Sequence, residues 1–90
     1  MEHLAKLFGS PARLKTLRLF VFNQDVAFTL AEVVQRTKLS KDVARRELTE
    51  LLASGLLRKK GIHTPSHYQT NPRFGHLDAL DAFIRETTSL

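Results

Sequence analysis

The side chains with most chemical potential in this chain are cations, and they are bunched. Between Arg36 and Lys60 stand eight of them, Arg36, Lys38, Lys41, Arg45, Arg46, Arg58, Lys59 and Lys60. Three acids oppose them, Asp42, Glu47 and Glu50, so this span carries +5. The whole chain of 90 residues also carries +5. After Phe74 the sign reverses: Arg85 stands against Asp78, Asp81 and Glu86, a balance of −2. Cations concentrated in the middle of a small chain suit a polyanionic partner. The competing explanation is solubilising surface charge.

Other chemistries find little support. There is no cysteine, which removes disulfides, thiolate metal sites and a cysteine nucleophile. His63 and His67 are four apart, but Pro65 lies between them and no carboxylate cluster completes a tetrahedral set. No metal and no cofactor are therefore expected. No glycine-rich loop follows a strand, and no serine has an evident His or Asp partner, so the chain does not read as an enzyme. Its composition, 42% hydrophobic and 26% charged, is that of one globular domain spanning residues 1–90. The opening MEHLAKLFGS lacks a signal-peptide apolar run, and no stretch approaches the roughly 18 apolar residues of a membrane span. The expectation is a cytoplasmic protein.

The elements that must position these cations are mostly helical. Leu4, Leu7 and Phe8 have helical spacing and predict a short first helix. Ser10-Pro11 starts a second: serine caps free N–H groups and proline fits the first turn. Leu14, Leu17, Phe20 and Val21 give that helix its inner face. Val26 to Phe28 predicts a short strand. Thr29-Leu30-Ala31-Glu32 is a capping box opening a helix to about Thr37. Lys38-Leu39-Ser40 is a tight turn, with Ser40 capping the next helix, 40–54. Ala44, Leu48, Leu51 and Leu52 form that helix's inner stripe, and Gly55 supplies its left-handed stop. A hairpin follows over about 56–71, and a last helix over about 76–87 carries Leu77, Leu80, Phe83 and Ile84.

The segment TLAEVVQRTKLSKDVARRELTELLASGLL, from Thr29 to Leu57, resembles the helix-turn-helix core of ArsR and MarR-like winged-helix regulators. LFGSPARLKTLRLF resembles the preceding helix of ArsR-like proteins, and YQTNP the second wing strand and its exit. The fold class is then mainly α with a small β-hairpin wing: a three-helix core, a short sheet and terminal helices. The helix-turn-helix covers about 29–54.

The resemblance implies a sequence-specific transcriptional regulator, a repressor, on double-stranded DNA. Helical rotation puts Asp42, Arg46, Thr49 and Ala53 opposite the inner stripe, with Lys41 and Arg45 beside them and Glu47 and Glu50 on the other flank. A recognition helix offers its N-terminal residues to the major groove, where arginine can fork onto guanine. Arg46 is the first candidate for a base, then Arg45 and Lys41. Ser40 and Thr49 complete that surface, and Arg58, Lys59 and Lys60 would hold the backbone. Asp42 and Arg46, four apart, could instead form an exposed ion pair. In ArsR-like proteins the terminal helices form the dimer, which implies a homodimer through Leu4, Leu7, Phe8, Leu77, Leu80, Phe83 and Ile84. His76, Asp78 and Asp81 do not reproduce the spacing of ArsR-like zinc sensors. Two other readings stand beside this one: a DNA-binding partner of a nucleotidyltransferase-type enzyme, and a winged-helix adaptor that binds protein.

Overall fold

The computed structural model describes residues 10–62 and 64–88. The expected first helix with Leu4, Leu7 and Phe8 lies outside them. The described elements are α1 (Pro11–Val21), β1 (Phe28–Thr29), α2 (Leu30–Thr37), α3 (Lys41–Ser54), β2 (Leu57–Lys60), β3 (His67–Thr70) and α4 (Leu77–Thr88). Together they make a mainly α winged helix with a small antiparallel sheet.

Local chemistry sets most boundaries. Ser10 accepts a hydrogen bond from the Arg13 N–H at 3.0 Å, with Pro11 in the first turn. The capping box of α2 is formed in both directions: the Glu32 N–H donates to Thr29 Oγ1 and the Thr29 N–H to Glu32 Oε1. Ser40 caps α3 by accepting from the Val43 N–H at 3.2 Å. Among the described residues, two helices end in a left-handed residue. For α3 it is Gly55, φ 87°, and for α2 it is Lys38, φ 63°. A lysine there lacks glycine's conformational freedom, so this turn holds a backbone strain that the glycine turn does not.

The core lies where α1, α2, α3 and the sheet meet. Leu14, Leu17, Phe20 and Val21 of α1 are all buried, as are Val33, Ala44, Leu48 and Leu51. Leu52 is half-buried at the edge of the stripe. Phe20 meets Phe28 edge-to-face, ring centroids 5.5 Å apart. This contact explains a shift in the first strand, which was expected at Val26–Phe28 and forms at Phe28–Thr29. Phe28 must enter the core, Thr29 must cap α2, and Val26 is left exposed. The strand order is β1-β3-β2, so β1 joins the hairpin through β3 in the register Phe28↔Tyr68 and Thr29↔His67.

Helix α4 packs on α1. Leu77 and Ile84 are in the core of the same chain, and Leu80 is half-buried against it. Phe83 is 39% exposed. Arg85 pairs with Asp81 and sits over the Phe22 ring, 4.3 Å from its centroid.

Candidate nucleic-acid interface

The inner stripe of α3 fixes which residues face outward. With Ala44, Leu48 and Leu51 buried, Lys41, Asp42, Arg45, Arg46 and Thr49 are all exposed. Ser40, also exposed, holds the helix start as its cap. Asp42 pairs with Arg45 at 3.6 Å, one position from the expected Arg46. Arg46 has no ion-pair partner among the described residues. The Thr49 hydroxyl donates to the Arg45 carbonyl at 3.0 Å, which leaves its methyl and its oxygen lone pairs outward.

Glu47 departs from the sequence expectation. It was assigned to an outer flank, yet it is only 5% exposed. Arg13 of α1 bonds it through Nε and reaches Glu50 Oε2 through Nη2 at 3.0 Å. One guanidinium thus bridges two carboxylates a turn apart, and the Glu47 hydrogen bond is the main cause that holds Arg13 above its ordinary pKa. The signal was present in the spacing: Glu47 lies three after Ala44 and four before Leu51, on the border of the inner stripe. Its partner, 34 positions away, was not readable locally. The consequence is electrostatic. The acids of α3 on this flank are turned to α1 and compensated, while the outer face and the Lys41–Arg45 flank remain basic.

The wing continues this surface. In β2, Arg58, Lys59 and Lys60 are all exposed, while Leu57 is buried. The register is Leu57↔Thr70, Arg58↔Gln69, Lys59↔Tyr68 and Lys60↔His67. Cross-strand partners share a face. Lys59 therefore shares one with Tyr68, and Arg58 and Lys60 share the other with Gln69 and His67. The root of the hairpin is fixed by the Gln24 carbonyl, which accepts from Gln69 Nε2 at 2.9 Å and from Thr70 Oγ1 at 3.2 Å.

Between the wing and the helix-turn-helix lies a cleft of about 550 Å³. Lys41 lines it with Thr29, Leu30 and Ala31 from the start of α2, and with Ser66 and Tyr68 from the wing. Ser66 and Tyr68 were not among the expected contact residues; neither carries a charge that would have singled it out. Glu32, in the capping box, has its pKa lowered chiefly by the Thr29 backbone N–H. Among the described residues no three His, Asp or Glu side chains are grouped to hold a metal ion. Nor is any described helix long and apolar enough to cross a membrane.

No protein-family model matches the chain, and no curated protein matches it in sequence. Solved structures do match it in fold. A MarR of Staphylococcus aureus, solved with salicylate and kanamycin, is 19% identical over 96% of this chain and 58% of its own, with a TM-score of 0.69. A MarR family transcriptional regulator from Silicibacter pomeroyi is 13% identical over 98% and 60%, TM-score 0.73. The homodimeric winged helix-turn-helix DNA-binding domain of a Mycobacterium bovis protein is 17% identical over 98% and 77%, TM-score 0.68. The chain thus spans about three-fifths of the length of the two MarR proteins. The fold is the winged helix-turn-helix, similar to MarR and ArsR-type regulators.

Proposed function

We propose that this chain is a cytoplasmic, sequence-specific double-stranded DNA-binding regulator, acting as a repressor by occupying an operator. The observation that carries the reading is the outward face of α3. Lys41, Arg45 and Arg46 are exposed on it together, and the helix's acids Glu47 and Glu50 are drawn away by Arg13. In this reading α3 lies in the major groove. Arg46 forks onto a base, and Lys41 and Arg45 take a flanking base or phosphate. Ser40 and Thr49 contact the backbone or a thymine methyl. Arg58, Lys59 and Lys60 hold phosphates and position the domain without reading sequence.

The reading includes a homodimer. Leu77 and Ile84 serve the core of their own chain, so the contact falls to Leu80 and Phe83 with the N-terminal Leu4, Leu7 and Phe8. The acidic balance after Phe74 keeps that end away from phosphate. The homodimeric state of the Mycobacterium bovis domain supports the arrangement. A two-fold pair of recognition helices requires an operator that is an inverted repeat.

The test is selection of duplexes from a random pool, followed by affinity measured against salt. Log affinity should fall linearly with log salt, by roughly 0.9 for each phosphate neutralised. Selected sites should be inverted repeats, and sedimentation equilibrium should give a dimer. Absence of binding at about 50 mM salt, where backbone contacts are strong, overturns the DNA reading. A monomer of 10.2 kDa with and without DNA overturns the dimer.

A further inference from the structure

A second recess, of about 490 Å³, lies between α1 and the C-terminal end of α2. Lys15 and Arg18 line it from α1, and Arg36 and Lys38 from the end of α2 and the turn that leads to α3. The half-buried Leu19 and Phe22 add an apolar wall. Among the described residues no acid lines it. None of the four cations makes an ion pair within 4 Å among the described residues, though Arg36 lies over the Phe28 ring, 5.6 Å from its centroid, and is attracted by Glu32 one turn earlier.

The simplest account of cations at helix C-termini is compensation of the helix dipole. Each end carries about −0.5 of a charge, so the two ends offset about one of the four. Arg18 and Arg36, the basic residues of the two last turns, suffice for that. Lys15 and Lys38 are surplus. Lys38 also occupies a left-handed position that glycine or asparagine ordinarily fills. The chain accepts strain there, and what it gains is a cation in the recess.

We infer that this recess is a binding site for a small phosphate ester with an apolar or aromatic body, of the size and charge of a nucleoside diphosphate. After the two helix ends and the attraction of Glu32 on Arg36, a net excess of about two to three positive charges remains, comparable with the negative charge of a diphosphate ester near neutral pH. A monocarboxylate leaves most of that field unmatched, and bare phosphate leaves Leu19 and Phe22 unused. The inference is independent of the DNA reading, since it concerns a different set of residues.

The test is a titration of the ¹⁵N-labelled 90-residue chain with ADP, adenosine and inorganic pyrophosphate, read by amide shifts. ADP should move the amides of Lys15, Arg18, Phe22 and Lys38 along one saturating curve, with both fragments binding at least about tenfold more weakly. The double variant Arg18→Gln, Lys38→Gly should weaken ADP by at least about tenfold. Glycine suits the left-handed turn, so the variant should stay folded, which far-UV circular dichroism checks. Lys59→Gln with Lys60→Gln, in the wing, should leave ADP binding unchanged. The inference is overturned if adenosine or pyrophosphate equals ADP, or if the wing variant weakens ADP as much as the recess variant. It is equally overturned if a DNA duplex shifts the same amides while ADP does not, for the recess is then a backbone contact.

Discussion

Helices α3 and α4 are of similar length, 14 and 12 residues, and the domain holds them by different means. Helix α3 is capped by Ser40, stopped by Gly55 and gripped at mid-length by Arg13 through Glu47 and Glu50. Helix α4 is held by Leu77 and Ile84 in the core, with Leu80 half-buried and Phe83 partly exposed. Charged hydrogen bonds are directional, and apolar contacts are not. A roll of α3 would break the Arg13 bridge as well as unseat Ala44, Leu48 and Leu51, whereas a roll of α4 would unseat Leu77 and Ile84 and lift Arg85 off the Phe22 ring. The helix that carries the exposed Lys41, Arg45 and Arg46 is the one that has a double carboxylate bridge at its waist in addition to its apolar stripe.

This contrast can be broken most directly on α4. Ile84→Ala should lose about 2–5 kcal/mol of stability by opening a core cavity. Phe83→Ala, at a side chain 39% exposed, should lose clearly less than Ile84→Ala. Urea denaturation of both variants decides; equal losses mean that α4 is not docked as described. On α3, Arg13→Ala should lose about 1–3 kcal/mol by stranding the buried Glu47, and Glu47→Ala a similar or smaller amount, since Arg13 keeps Glu50. Arg13 is partly exposed, which keeps these losses below those of a fully buried pair. Their double variant should lose clearly less than the sum; strict additivity would show that the bridge does not fasten the helix.

The outer face of α3 can be set against the wing in the same way. Arg46→Ala should cost roughly 1–3 kcal/mol of discrimination between a selected site and random DNA. Lys59→Ala with Lys60→Ala should weaken both alike and flatten the salt dependence. Titrations of each variant on both duplexes check it, and a wing variant that alters preference reverses the assignment.

The smallest effect belongs to the capping box. Glu32 has a folded pKa below its ordinary 4.5, so its ionised form favours the folded state. That contribution is complete above the ordinary value and is lost as pH falls through the lower, folded one. Glu32→Gln should lower the melting temperature at neutral pH, and the difference should shrink on acidification below about 4.5. A difference independent of pH would detach the cap from the carboxylate charge.

What was legible in the sequence follows the reach of each interaction. Ser10-Pro11, Thr29 with Glu32, Ser40 and Gly55 act within four residues of themselves, so their types and spacing were enough to place the starts of α1, α2 and α3 and the stop of α3. Lys38 as a left-handed residue was hidden, because nothing in a lysine announces that backbone. Glu47 was misplaced because its environment depends on Arg13, and β1 because its length depends on Phe20 and on the register with β3. Leu77, Leu80, Phe83 and Ile84 share one helical spacing, which cannot say that the first and last are buried while Phe83 is partly exposed. The outward placement of Lys41, Arg45 and Arg46 was readable for the opposite reason: it is the complement of a regular inner stripe.

The Gln24 carbonyl gives the wing a mechanical character. It receives two donors from the end of β3, Gln69 and Thr70, while the hairpin's far end carries the exposed Gly61 and Ile62. A lever with its fulcrum at Gln24 transmits a load at its tip to the turn after α1. The hairpin is thus tied at its root both to the turn after α1, through Gln24, and to α3, which runs into β2 through Gly55 and packs against it.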